Sequence, residues 1–332
     1  SYMFNLRDFS EQFSSKIKAK AILLKDKGIL FKENDLDDYE EFIKNTDKKL
    51  YIDKLSMNAY DYEIVKDKVI EGNPLNNQKS IKTQQEIEHY KYAFKQTDKT
   101  VLAIREYIES NDNLSEYDIS QQLEQEFYKN GAKSLSFNSI VAINQNSALA
   151  HYSKASKNIK LQDGDLVLID CGAYYKDGLA TDITRVFVKG NPNELQKKVY
   201  TTVLKCFLNC YNSTLKTGFE IDNLAHTLLD NNIEGFSFSH GLGHGIGINV
   251  HEAPPALNQS DIAHTGIEDN MTFTIEPGLY NQSEFGIRLE NSCYKQNGKI
   301  KSFVKMGYEG KLIDYSILSE QEQEWLKEFE IL

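Results

Sequence analysis

Hydrophobic and polar positions change rhythm several times along the chain, and each change predicts an element. Ala21-Ile22-Leu23-Leu24 and Gly28-Ile29-Leu30-Phe31 are apolar runs split by Lys25-Asp26-Lys27, which predicts a β-hairpin, and Leu50-Tyr51-Ile52 predicts another short strand. Residues 34–46 are polar enough for either a helix or a loop, and Glu71-Gly72-Asn73-Pro74 reads as a dividing turn. Beyond it, Ile81, Ile87, Tyr90, Ala93, Phe94, Val101, Ile104 and Ile108 recur on one helical face. Ser115-Glu116-Tyr117-Asp118 opens a second helix by a capping-box pattern, and Gly131 ends it. Strands follow at Ser139–Ile143, Leu166–Ile169 and Ile183–Val188, then helices over 193–214 and 219–232. A glycine-rich stretch, further strands and a last helix over 319–330 complete the chain. This order predicts an α+β fold with hairpins, not the regular βαβ alternation of a doubly wound sheet. A small, partial α/β N-terminal domain is expected over 1–75 and a larger domain over 76–332.

Composition narrows the picture. A chain of 332 residues has room for one large or two moderate domains, and its 40% hydrophobic content supplies a sizeable core. No run approaches the roughly 18–20 apolar residues of a membrane span, so no membrane association is expected. Residues 1–13 show no basic region, apolar run or small-residue cleavage site of a secretory signal. The four cysteines are too sparse for a disulfide framework; Cys206 and Cys210 read as two partly buried thiols on a helix, which fits a cytoplasmic protein. The net charge of −11, with basic residues scattered among acids, argues against a nucleic-acid partner.

The chemistry-bearing residues come in clusters. An apolar strand runs into Asp170, turns near Lys176-Asp177-Gly178, and a second strand leaves with Asp182 at its head. A hairpin centred on residue 176 sets the two carboxylates opposite each other, where like charges repel unless something positive lies between. His240-Gly241-Leu242-Gly243-His244-Gly245-Ile246-Gly247-Ile248-Asn249-Val250-His251 concentrates three of the chain's seven histidines, and its glycines permit close backbone approach or positive φ. Glu276 ends one strand and Glu290 lies in another, an expensive placement for a carboxylate unless it is neutralised or coordinated. Four carboxylates and a neutral His244 are balanced by two divalent cations, whereas one cation leaves the site negative. That count favours a dinuclear centre, and mostly oxygen donors with one imidazole favour Mn2+ over Zn2+, Co2+ or Fe2+.

Asp170, Asp182, His244, Glu276 and Glu290, in that order, resemble the five-ligand set of the pita-bread metallopeptidases, the creatinase/aminopeptidase-like group of methionine aminopeptidase, prolidase and aminopeptidase P. The similarity runs over about 75–332 and is strongest to the long cytosolic type of aminopeptidase P. It is carried by Tyr175-Lys176-Asp177-Gly178 with Thr181-Asp182-Ile183-Thr184-Arg185, by Ala150-His151-Tyr152, and by a tail from Leu312-Ile313-Asp314-Tyr315-Ser316 to Trp325-Leu326. Phe4-Asn5-Leu6-Arg7 resembles a motif midway through the domain preceding the catalytic one, which implies that the chain starts inside that domain. Two departures stand out. Eleven residues separate Asp170 from Asp182, one more than the family usually has, and a bulge near 178–181 is expected to absorb it. The spacing of His244 and His251 is that of the shorter bacterial members.

The resemblance implies a metal-dependent Xaa-Pro aminopeptidase, releasing the first residue from peptides with proline second, in the cytoplasm and as a homodimer. Asp182 and Glu290 would bridge two metals, Asp170 complete one, and His244 with Glu276 the other. Glu276 would accept and return a proton, His251 stabilise the oxyanion, His151 contact the substrate backbone, and His240 line the proline pocket. Arg288 would orient Glu290 or hold a substrate carboxylate. A prolidase acting on Xaa-Pro dipeptides shares all five ligands, and a non-catalytic binding protein of the same fold is the alternative from another class.

Overall fold

A computed structural model describes residues 2, 4–54, 57–73 and 75–332. The centre of the molecule is an antiparallel sheet. Its order is Thr272–Ile275, Glu290–Gln296, Ile183–Val188, Leu166–Cys171 and Ile140–Ile143, with Lys299–Ser302 also paired to Glu290–Gln296. Alternation along these strands divides the core into two. Val141, Ile143, Val167, Ile169, Ile183 and Phe187 pack with residues of the helices Gln84–Ser110 and Glu116–Lys129. Ile140, Ala142, Leu166, Leu168, Val186 and Val188 pack with residues of Glu194–Tyr211 and Gly218–Leu229. Period-two patterning therefore sends each strand's odd and even residues to different helix layers.

Local signals place most helix starts. Thr83, Ser115, Asn193, Thr217 and Ser319 each cap a helix through a reciprocal capping box. Ile81 is not part of the long helix; it precedes Thr83 and bridges to Met271. The last helix, Glu320–Leu326, is shorter than expected because the chain turns after Lys327 to lay residue 331 beside Tyr308. Cys206 and Cys210 are fully rather than partly buried, since their face of Glu194–Tyr211 points into the core; all four cysteines are free.

The N-terminal part has a core of its own around Phe31, Tyr39, Ile43 and Val65. The expected hairpin forms as Ala19–Leu23 with Gly28–Lys32, residues 34–46 become mostly the helix Leu36–Asn45, and Leu50–Ile52 pairs in parallel with Val69–Glu71. Pro74 of the dividing turn lies outside the described residues. Among the described residues, no helix is long and apolar enough to cross a membrane.

Candidate functional site

Antiparallel register, rather than sequence proximity, assembles the site. Ile140 pairs with Asp170, Asp170 with Thr184, and Thr184 with Glu290, so these side chains form one row across four strands. Ile275 pairs with Asn291, which brings Glu276 beside Glu290 one step further on. The segment carrying His244 runs along the outer edge of Thr272–Ile275, held by Ile246 N to Thr272 O at 3.1 Å and Glu276 N to Leu242 O at 2.8 Å. Gly243 allows this approach, while Gly245 and Gly247 let the chain fold back against Glu252. A Cβ on them would lie 2.1 Å from Thr274 O, 2.2 Å from Glu252 O and 1.9 Å from Glu252 Oε1. None of the three needs positive φ, so close packing is their role here.

The Asp170–Asp182 hairpin differs from expectation by one residue. Asp170 faces Thr184 and Cys171 faces Ile183, a register centred on residue 177 instead of 176. The same register continues through Thr181 N to Ala173 O and the Tyr174–Ala180 bridge, so no bulge forms. The extra residue is taken up in the tip, where Gly178 adopts φ +68° and donates to Tyr175 O. The two aspartates are consequently diagonal neighbours on one face, not an opposed pair. Asp182 Oδ2 still reaches to 3.5 Å from His244 Nε2.

All nine singled-out residues, His151, Asp170, Asp182, His240, His244, His251, Glu276, Arg288 and Glu290, line one cavity of 310 Å³. Ligand atoms of Asp182, His244 and Glu290 lie within 4.8 Å of one another. Glu276 Oε1 is 3.5 Å from His244 Nε2. His244 Nδ1 is bonded to Gly245 O at 3.1 Å, which assigns its proton there and leaves Nε2 free to ligate. Asp170 Oδ1 and Glu290 Oε1 are buried without a hydrogen-bond partner, a costly condition that a bound cation would relieve. An oxygen-rich donor set with one imidazole therefore fits divalent metal ions.

The electrostatics point the same way. Burial, then Glu290 and Asp170, pushes the Asp182 carboxyl far above its usual range. Glu290 rises for the same reason, with Glu276 and Asp170 adding to burial. Burial lifts Glu276 to about 8 against the pull of Arg288. Burial, with nearby His251, depresses His244 to about 3, so its imidazole is neutral. Burial and mutual repulsion together make these clustered carboxylates costly when charged, a cost that a cation between them would offset.

Arg288 departs from its expected role. It is 2% exposed, and its guanidinium donates to Asp170 Oδ2 at 2.5 Å, Thr184 Oγ1 at 3.2 Å and Tyr280 OH at 2.9 Å. Its direct carboxylate partner is Asp170; Glu290 is held instead by the Thr184 hydroxyl at 2.7 Å. Three of its five N–H donors are engaged in these bonds. His240 bonds Tyr280 OH at 2.7 Å through Nε2 and Gly241 O at 2.8 Å through Nδ1, and burial lowers it to about 4. His251 stands edge-on to His244 with ring centroids 4.1 Å apart. Behind it, Glu252 faces the buried Lys82 ammonium at 3.7 Å. Thr184 and Tyr280 were given no role by sequence reasoning. Thr184 could have been found from its two-residue spacing to Asp182, whereas nothing local marks Tyr280.

Residues 88–295 match Metallopeptidase family M24. The chain belongs to that family. Its pita-bread α+β fold is shared with the Xaa-Pro dipeptidase from Bacillus anthracis, at TM-score 0.78 and 28% identity over 89% of each chain. The X-prolyl aminopeptidase from Caenorhabditis elegans, described as a cytosolic enzyme with a di-nuclear active site, matches the fold at TM-score 0.84 and 21% identity, covering 96% of this chain and 60% of that one. In sequence, Xaa-Pro aminopeptidase 1 of Dictyostelium discoideum is 32% identical over 319 residues, 87% of this chain. The chain spans 50% of the length of that relative. Within the M24 family, the carboxylate and histidine cluster described above is the candidate metal centre.

Proposed function

We propose that this protein is a metal-dependent Xaa-Pro aminopeptidase, acting on peptides with proline in second position. The observation that carries the reading is the cavity in which Asp170, Asp182, His244, Glu276 and Glu290 converge with two orphaned buried carboxylate oxygens. Asp170, Asp182, His244, Glu276 and Glu290 would together hold two divalent ions, with Mn2+ the first choice for mostly oxygen donors. Bound metal would lower the pKa of water and polarise the carbonyl before proline. Glu276, beside His244 in the cavity, is assigned to hold and return the proton that must reach the leaving nitrogen. His251, neutral through burial, is assigned to the developing oxyanion, His151 to the peptide backbone, and His240 with Tyr280 to the wall of the proline pocket. Arg288 orients Asp170 through a direct guanidinium–carboxylate bond. A cytoplasmic location is part of the same proposal and rests on the four free cysteines.

The deciding assay is hydrolysis of an Xaa-Pro-Yaa tripeptide by chelated and then Mn-reconstituted protein, with Glu276→Ala as control. Metal-restored release of the first residue, lost in the variant, supports the reading; inactivity of metal-loaded protein rejects it. A prolidase is the second reading, favoured by the likeness to the Bacillus anthracis dipeptidase over 89% of both chains. Cleavage of Xaa-Pro dipeptides but not tripeptides would select it. His251→Ala should lower kcat far more than it raises KM, and intact turnover would remove His251 from its assigned role.

A further inference from the structure

His151 enters the cavity from the connection between Ile140–Ile143 and Leu166–Cys171, which has a 3-10 turn over Asn144–Ala148 and no helix or strand from 149 to 165. Irregular backbone needs partners outside a sheet ladder, or it cannot hold a side chain in one place. Ser147 meets Gly286 and Asn138 meets Ser153 O, but one residue bonds both limbs of the connection at once. Glu116, in the first turn of the helix Glu116–Lys129, is wholly buried. Its Oε1 accepts from Ile143 N at 2.8 Å and Asn146 Nδ2 at 2.9 Å. Its Oε2 accepts from the Tyr152 hydroxyl at 2.7 Å and Ser156 N at 2.9 Å. Asn146 Nδ2 also donates to Tyr152 OH at 3.0 Å, and Tyr117 N to Ser156 O at 3.1 Å.

The four donors lie on both sides of His151, two before it and two after, and Tyr152 is its immediate neighbour. A buried carboxylate is costly unless fully bonded, and four charge-assisted bonds offset that cost. Removing the acceptor would take four bonds from both limbs of the loop together, leaving Ser147 with Gly286 on one side and Asn138 and Tyr117 with Ser153 O and Ser156 O on the other. We propose that Glu116 is a positioning residue for peptide binding: it fastens 143–156 so that His151 is presented to the substrate backbone, without itself touching substrate. The inference rests on the prolyl-peptidase reading for the identity of the peptide, but its structural half is independent of it.

The test uses the full chain reconstituted with Mn2+ and the variants Glu116→Gln, Tyr152→Phe, His151→Ala and the double variant Glu116→Gln/His151→Ala. Amide hydrogen exchange is followed over 143–156, with metal content, KM and kcat for an Xaa-Pro-Yaa tripeptide. Glu116→Gln is expected to speed exchange in that segment alone and to raise KM roughly tenfold with kcat within about threefold. It should add nothing to His151→Ala, because coupled residues are non-additive. Tyr152→Phe should give a smaller change of the same kind, and it carries the test where Glu116→Gln does not fold. Unchanged exchange over 143–156, effects additive with His151→Ala, or a loss of metal and protection across the whole chain would overturn the proposal. If the unaltered protein cleaves no Xaa-Pro-Yaa peptide, the prolyl reading falls, and the exchange result alone then decides whether Glu116 fastens the loop.

Discussion

The two faces of the strand Ile183–Val188 carry two buried polar clusters of opposite character. On one face lies Arg185, wholly buried, whose nitrogens make five bonds: to Gly307 O, Thr184 O, Glu290 O, Asn291 Oδ1 and Met306 O, at 2.7 to 3.1 Å. The Tyr308 ring covers the guanidinium at 4.6 Å. All the donors an arginine owns are used, so this cluster is complete within the protein. On the other face, Thr184 leads to Glu290, Asp170, Asp182 and Glu276, four carboxylates against one Arg288, with two oxygens lacking partners. Glu290 belongs to both: its main-chain oxygen is held by Arg185 while its carboxylate faces the cavity. Saturation on one side thus fixes the backbone that presents unsatisfied charge on the other. A polar network that is finished contributes rigidity, and one that is left unfinished marks where a ligand belongs.

The sharpest break in this comparison comes from the unfinished face. Glu276→Ala should cut tripeptide hydrolysis by about 10²–10⁴-fold without weakening the metal-free protein to urea, since it removes one of the repelling buried acids. Comparable activity in the variant would show that the face is a structural acid cluster only. On the finished face, Arg185→Met should cost about 3–5 kcal/mol in urea unfolding, since several buried acceptors lose their donor together. A loss under 1 kcal/mol, roughly that of one ordinary hydrogen bond, would remove the claim that this cluster is the scaffold.

Chelation should act on the unfinished face alone. Metal held at about a hundred times its Kd contributes about 2.7 kcal/mol, so the melting temperature should drop on its removal. Asp182→Asn should shrink that drop by relieving repulsion among the buried acids. A melting temperature indifferent to verified metal removal would contradict the site.

The smallest effect concerns Asp98, a loose end near Arg185. Its Oδ2 accepts from Lys305 N at 2.8 Å, its Oδ1 has no partner, and burial raises the carboxyl to about 6. Because the folded state keeps this proton to higher pH than the unfolded chain, stability falls as pH rises from about 4 to about 6 and then levels. Asp98→Asn should flatten that slope and gain on the order of 1 kcal/mol above pH 6. An unaltered slope in pH-resolved urea titrations would assign it to another group.

Much of this contrast was legible in the chain. The five candidate ligands carry their own signal, because carboxylates at the ends of apolar runs and histidines among glycines have few structural uses. Capping boxes at Ser115 and Ser319 are local, so the helix starts follow from a few residues. Pairing register is not local. The hairpin centre at 177 depends on how the turn at Gly178 seats, and that one-residue change turned an expected Asp–Asp opposition into a diagonal. Arg288 and Glu290 are two positions apart in sequence but belong to different strands, Gly286–Arg288 and Glu290–Gln296, and it is the packing of those strands that turns the guanidinium to Asp170 and leaves Glu290 to the Thr184 hydroxyl.

The order of elements, the two-layer alternation of apolar residues and the identity of the charged residues are properties of the sequence by itself, since each is set by neighbours within a few positions. Which of those charges share a cavity, which are satisfied and which are left wanting was decided by tertiary structure. Glu116 shows why: in the chain it is one more acid in the first turn of a helix, like Glu86 or Glu194. Only the fold buries it among donors from Ile143, Asn146, Tyr152 and Ser156, because a hydrogen bond depends on distance in space and has no memory of separation along the chain.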